Sequence, residues 1–207
     1  MLFIILNIVI LLLSIIIHEI SHGFAALKFG DPTARMRGRL TLNPIPHIDI
    51  VGTIVLPIML ILVRSPVLFG WAKPVPVNPF NFKNPRRDMM LTSLAGPLSN
   101  FALAIIFSLL YRIFLLFGGK GSIPIQVFEY GAAINILLFC FNLFPIPPLD
   151  GSKILMYFLP DNIADGFRKI EPFGFIIIFG LFFLGILGGI LYPIMTFFLY
   201  ILLGAGI

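Results

Sequence analysis

Two histidines four residues apart, with a glutamate beside the first, sit near the start of this chain: His18-Glu19-Ile20-Ser21-His22. On a helix His18 and His22 fall about one turn apart on one face. Both imidazoles then reach a single metal ion, with the Glu19 carboxylate next to it. This is the H-E-x-x-H pattern, in which the histidines ligate zinc and the glutamate acts as a general base. Its setting is unusual. Residues 2 to 17 carry only two polar side chains, Asn7 and Ser14, so the pattern lies in a run that reads as a membrane-spanning helix. Ionisable groups are expensive there and mark function.

A catalytic zinc site takes three protein ligands and keeps a fourth position open. The third ligand must be a His, Asp or Glu at the depth of His18. Of the nine acidic residues, most lie in polar linkers. Asp150 instead follows an apolar run directly, within Asn142-Leu-Phe-Pro-Ile-Pro-Pro-Leu-Asp-Gly151. The prolines force that stretch out of helix, so its carbonyls must line a cavity or be buried in protein. Depth agrees: His18 lies roughly 25 Å along a helix that starts at residue 2, and one crossing out (86 to 117) and one back (125 to 144) return Asp150 to that side. His47 and Asp49, in the loop after the first span, are the rival pair. Asp150 is the favoured ligand, with His47 either near the site or a plain loop histidine. A tetrahedral oxyanion also needs a positioned donor, for which Asn100 and Asn142 are candidates. Asn135 lies seven residues before Asn142, on the same helix face. For each asparagine the alternative role is an interhelical hydrogen bond.

Positioning these groups falls to a membrane fold. Of the 207 residues 59% are hydrophobic and 11% charged, against about 25% charged in an average soluble domain; the mean hydropathy is +1.06. The expected class is an all-α polytopic membrane protein, one integral-membrane domain over residues 1–207. It should have five to six transmembrane or re-entrant helices, with short β-strands near the site. The net charge of +5 reads as basic loops that fix orientation and meet anionic lipid, not as a nucleic-acid surface. A lone Cys140 excludes an intramolecular disulfide and a Cys-rich metal site. The N-terminal run lacks a basic n-region and a small-residue cleavage site, so it reads as a retained span.

The spans are expected at 2 to 27, 86 to 117 and 125 to 144, with 173 to 203 forming one kinked helix or two short ones. Asp150 to Leu159 reads as a short helix and 161 to 171 as a polar linker. Met36, Gly38, Leu40 and Leu42 alternate with Arg35, Arg37, Arg39 and Thr41, which suggests a strand. Residues 69 to 77, rich in proline, read as an extended edge strand or an interfacial loop anchored by Trp71. Either extended segment could hold an unwound substrate by β-addition. Residues 48 to 63 are short for a span of about 20 residues. A re-entrant path there keeps nine of the 14 Lys and Arg, from Lys28 to Arg87, on one side, which the positive-inside rule makes cytoplasmic.

Three segments, His18-Glu-Ile-Ser-His22, Ala95-Gly-Pro-Leu-Ser-Asn100 and Asn142 to Gly151, occur in the order of three signatures that the chain shares with the site-2 protease family. The chain resembles a minimal form of that family, without PDZ or CBS domains. The resemblance implies an intramembrane zinc metalloprotease: Zn2+ held by His18, His22 and Asp150, and Glu19 activating water. Its partners would be transmembrane proteins or peptides cut in or near their membrane segments, in regulated intramembrane proteolysis. Asn142 would hold substrate backbone. The implied location is the cytoplasmic membrane of a prokaryote, with the site towards the cytoplasm. The competing class is a metal-binding membrane protein without peptidase activity, such as a transporter. That class should spread ionisable ligands over several spans, often in inverted repeats, and no repeat is visible here.

Overall fold

Apolar runs and the prolines that bound them set most of the helix limits. The structure, a computed structural model, describes residues 1–64, 70–119 and 121–204. Among these the secondary structure is entirely helical. Helix α1 is Leu2–Lys28 and α2 is the single turn Thr33–Met36. A π-helical stretch, Ile50–Val55, runs into α3, Leu56–Leu62. Helix α4, Pro85–Leu116, opens on a proline at its first position, where a missing N–H costs nothing, and carries Asp88 in its first turn. Then come α5, Ile123–Asn142, α6, Asp150–Phe158, α7, Asp161–Ile170, α8, Gly174–Phe183, and α9, Ile186–Leu203. Four of them, α1, α4, α5 and α9, are long and apolar enough to cross a membrane.

Helix α4 is the central element, lying along α5 and α1 and touching α6 and α9. An apolar core joins Ala104 of α4 and Ile136 and Cys140 of α5 to Leu149, Ile178 of α8 and Leu187 and Leu191 of α9. The outward faces stay apolar and exposed, as at Ile5, Leu12, Ile106 and Phe197. Lipid is as apolar as these side chains, so association in the bilayer rests on close packing and interhelical hydrogen bonds, each worth about 0.6 kcal/mol on average. The polar interior of α1, α4 and α5 supplies such bonds.

Several expectations change. No strand occurs among the described residues. Residues 36 to 42 do not extend, because α2 closes with a Schellman end: Arg39 N–H donates to Ala34 C=O at 2.9 Å and Gly38 N–H to Arg35 C=O at 3.0 Å. Gly38 takes the left-handed φ of +64° that this motif needs. Residues 71 to 77 pair with no strand, and the alternate amides of 71, 73 and 75 are each bonded inward, the pattern of an extended run. The segment 161 to 171, expected as a linker, is mostly the amphipathic α7, with Asp161 in its first turn and Arg168 and Lys169 in its last, which complements the helix dipole. The 173 to 203 stretch is two helices, parted at Gly185. By Trp71 the chain lies again beside the start of the 48 to 63 stretch, as a re-entrant path requires: Trp71 N–H donates to Gly52 C=O at 3.2 Å, and Thr53 Oγ1 donates to Trp71 C=O at 2.9 Å. Trp71 also packs on Phe175 of α8, ring centroids 5.1 Å apart, so it is built into the fold. Phe69, the first residue of the 69 to 77 segment, lies outside the described residues.

Candidate active site

Helix α1 carries His18 and His22, and α6 begins at Asp150. The two meet because α5 ends at Asn142 and the Pro145–Pro148 turn delivers Asp150 beside α1. His18 Nε2 and His22 Nε2 are 3.0 Å apart, and each is 3.1 Å from Asp150 Oδ2. All three residues are buried. Among the described residues they are the one group of His, Cys, Asp and Glu with converging ligand atoms.

The protons say what this triangle is for. His22 Nδ1 lies 2.7 Å from Thr92 C=O, which can only accept, so Nδ1 carries the hydrogen. His18 Nδ1 lies 2.6 Å from Asn100 Oδ1. Asn100 is oriented by its own donations, from Nδ2 to Ser14 C=O at 3.2 Å and to Asn135 Oδ1 at 3.0 Å, so its oxygen faces the imidazole. Both Nε2 atoms therefore present lone pairs to each other and to a carboxylate oxygen. Three acceptors this close call for a cation. The spacing suits zinc, whose tetrahedral ligands at about 2.0 Å stand about 3.3 Å apart. The donor set, two imidazoles and a carboxylate, is that of a catalytic zinc site with an open position.

Helix α4 fits against these rings only because of Gly96. A Cβ there would lie 2.4 Å from His22 Nε2 and 2.7 Å from His18 Cε1. Thr92 and Asn100, four residues to either side, are thereby brought against the two rings. Neither Thr92 nor Gly96 is marked by its residue type, since a backbone carbonyl and an absent side chain leave no chemical signature. Ser14, one of the two polar side chains of the first apolar run, sits one turn before His18 and takes a hydrogen bond at Oγ from Asn135 Nδ2, 2.9 Å.

Glu19 stands beside the triangle, half-buried, and its Oε2 accepts the Val75 N–H at 2.7 Å. A cleft of about 760 Å³ opens above it, with His18, Glu19, His22 and Asp150 at its floor. Val75 and Asn142 form parts of its walls, and Arg86 and α7 lie at its mouth. Asn142 spends an amide hydrogen on Leu138 C=O at 2.9 Å and faces the cleft. Asn100 does not line it: both amide hydrogens are taken, and the side chain holds His18 instead of facing a substrate. Asn135, fully buried, makes interhelical hydrogen bonds. His47 is buried with Nε2 donating to Thr41 C=O at 2.9 Å, apart from the ligand triangle. Its rival partner Asp49 caps the π-helical stretch by accepting Gly52 N–H at 2.7 Å.

The segment over Glu19 is bonded along one edge. Lys73 N–H donates to His47 C=O at 2.9 Å, and Lys73 C=O accepts from Arg39 Nη2 at 2.6 Å. Residues 71, 73 and 75 thus face inward. The other edge is Ala72, Pro74 and Pro76, where two of three positions lack an N–H, so it makes only half of a β-addition edge.

Comparison with known proteins finds relatives named as zinc metalloproteases. The model of peptidase family M50 matches residues 119–187. A Bacillus subtilis protein named "Putative zinc metalloprotease YwhC" is 40% identical over 191 residues, 90% of this chain and 84% of that protein. The Mycolicibacterium smegmatis protein named "Putative zinc metalloprotease Rip2" is 30% identical over 171 residues, 81% of this chain and 62% of that one. A Methanocaldococcus jannaschii protein named "Putative zinc metalloprotease MJ0611" is 45% identical over 65 residues, about a third of each chain. No solved structure matches the chain.

Proposed function

Because this chain belongs to peptidase family M50, the site-2 protease family of zinc metalloproteases, we propose that it is an intramembrane endopeptidase. It hydrolyses peptide bonds in or near the transmembrane segments of membrane proteins, in the manner of regulated intramembrane proteolysis. The observation that carries this reading is the convergence of His18, His22 and Asp150 beside Glu19, at the floor of a cleft in a helical membrane protein.

Each residue has a task. His18 Nε2, His22 Nε2 and Asp150 Oδ2 would hold the zinc. Asn100 and the Thr92 carbonyl fix the ring tautomers and orientations, as outer partners of metal-bound histidines do. When bound, zinc polarises the scissile carbonyl and acidifies water. Glu19, with Oε2 engaged by Val75 N–H, uses Oε1 to take a proton from the attacking water and later gives it to the leaving amine. Asn142 on the cleft wall holds the backbone of the unwound substrate. We place the protein in the cytoplasmic membrane of a prokaryote with the cleft towards the cytoplasm; what supports this is the basic lining of the cleft, Arg86, Lys153 and Arg168, together with the positive-inside rule.

Co-expression with candidate single-span membrane proteins, comparing wild type with Glu19→Gln, tests this. The variant is expected to retain zinc and cut nothing. Cleavage unimpaired in Glu19→Gln refutes the assigned role, and zinc binding with no cleavage of any substrate by the wild type favours a non-proteolytic metal-binding protein.

A further inference from the structure

Arg39 is 7% exposed, and the ion pairs found among the described residues leave it out. Taking an unpaired charge out of water is costly, so a buried guanidinium at this position calls for a reason. One of its donors, Nη2, meets the Lys73 carbonyl at 2.6 Å. Its Nε is buried without a partner. Burial pushes the guanidinium down from its ordinary value, and the negative charge of Glu19 pulls it back up. The carboxylate acting on Arg39 is therefore the one beside the metal ligands.

The path between them runs through two backbone groups. In extended chain, residues i and i+2 point the same way, so the Lys73 carbonyl and the Val75 amide share an edge. Arg39 holds the first, and the second holds Glu19 Oε2 at 2.7 Å. The local sequence delivers the arginine: the turn at Gly38 that ends α2 reverses the chain and sends Arg39 inward, while Arg35 and Arg37 stay exposed.

We propose that Arg39 is a positioning residue for Glu19: through its hydrogen bond to the Lys73 carbonyl it fixes the 73–75 segment so that the Val75 N–H holds the carboxylate. This rests on Glu19 being the general base. Arg39 touches neither metal ligand nor cleft, so its effect belongs in turnover, not in zinc or substrate binding.

The test uses zinc-loaded enzyme reconstituted in lipid with a single-span substrate. Arg39→Met is expected to lower kcat by about 10-fold, what one lost hydrogen bond from a charged donor is worth, with KM and bound zinc unchanged. Arg39→Lys, which keeps charge and a donor, should recover most of it. Hydrogen exchange across residues 71–77 should speed up in Arg39→Met, a readout that needs no activity. Val75→Pro deletes the amide itself, and the double variant Arg39→Met/Val75→Pro should be no slower than the slower single, because both cut one path. Full turnover in Arg39→Met, multiplying effects in the double variant, or equal loss in the Met and Lys variants accompanied by loss of zinc each overturn the inference. Glu19→Gln is the control: if it still cleaves, the general-base reading fails; if it is dead while Arg39→Met is fully active, this inference alone fails.

Discussion

Gly96 of α4 approaches His22 of α1 so closely that a Cβ on the glycine would lie 2.4 Å from His22 Nε2. A methyl group cannot share that space with a metal-ligating nitrogen. Gly96→Ala is therefore expected to purify as a folded membrane protein with at least a tenfold weaker hold on zinc, the lower end of what disturbing a metal site's supports costs. Metal analysis after dialysis against a graded chelator measures it. Wild-type zinc retention would show that α4 shifts to make room.

Asn100 distinguishes a positioning role from an oxyanion role. Asn100→Ala removes the acceptor from His18 Nδ1 and leaves a buried imidazole N–H without a partner. Zinc affinity should fall by about 10- to 100-fold. Asn100→Asp, which keeps an acceptor, should hold zinc better than the alanine variant. If Asn100→Ala keeps its zinc and loses only kcat, the side chain acts on the reaction instead.

Asp150 and His47 form a matched pair of tests. Asp150→Ala should abolish stoichiometric zinc, because it leaves two imidazoles where three ligands are needed. His47→Ala should retain it, since His47 Nε2 serves Thr41 C=O. The reverse pattern in a metal assay would move the third ligand to the loop.

Asp31 supplies a pH dependence away from the metal. It is fully buried just past α1 and accepts from Thr33 N–H at 3.1 Å, Asn78 N–H and Asn81 Nδ2 at 2.7 Å each, and the Thr33 hydroxyl. Burial alone would raise its carboxyl, but these four donors outweigh that and hold it below the usual carboxylate value. The unfolded chain then binds the proton more readily, so the stabilisation is complete above the unfolded value of about 3.9. It is lost as pH falls through the folded one. The thermal midpoint of wild type should exceed that of Asp31→Asn at neutral pH, and the gap should close in acid. A gap that does not depend on pH would assign the difference to shape alone.

What the sequence made legible follows a physical divide. His18, Glu19 and His22 share one helix, so their relation follows from helical spacing. Asp150 could be placed by counting crossings, because a bilayer turns span number into depth. Three of the four long helices, α1, α4 and α5, were legible for the same reason, while α9 lay inside a stretch whose division at Gly185 the sequence left open. Asn100 was visible as an expensive amide, but its partner was not: whether it meets His18 or a substrate depends on the vertical register of α4 against α1, which Gly96 sets. The Val75 amide on Glu19 joins residues 56 apart in sequence and involves no side chain on one side. The strand expected at 36 to 42 failed on a signal that was present, since Gly38 sits where a Schellman turn wants it. Helix α7 was hidden by its polarity: Asp161, Asp165, Arg168 and Lys169 are all exposed, and only Ala164 is buried.

The extended segment beside Glu19 has a consequence for self-recognition. If the cleft takes unwound backbone, as proposed, the chain keeps an irregular backbone of its own beside Glu19. Val75 lies between Pro74 and Pro76, so the two bonds that enter those prolines are tertiary amides with no hydrogen to offer. Of the three outward positions only Ala72 has an N–H, so a second backbone laid along that edge would find one donor where an ordinary peptide offers three.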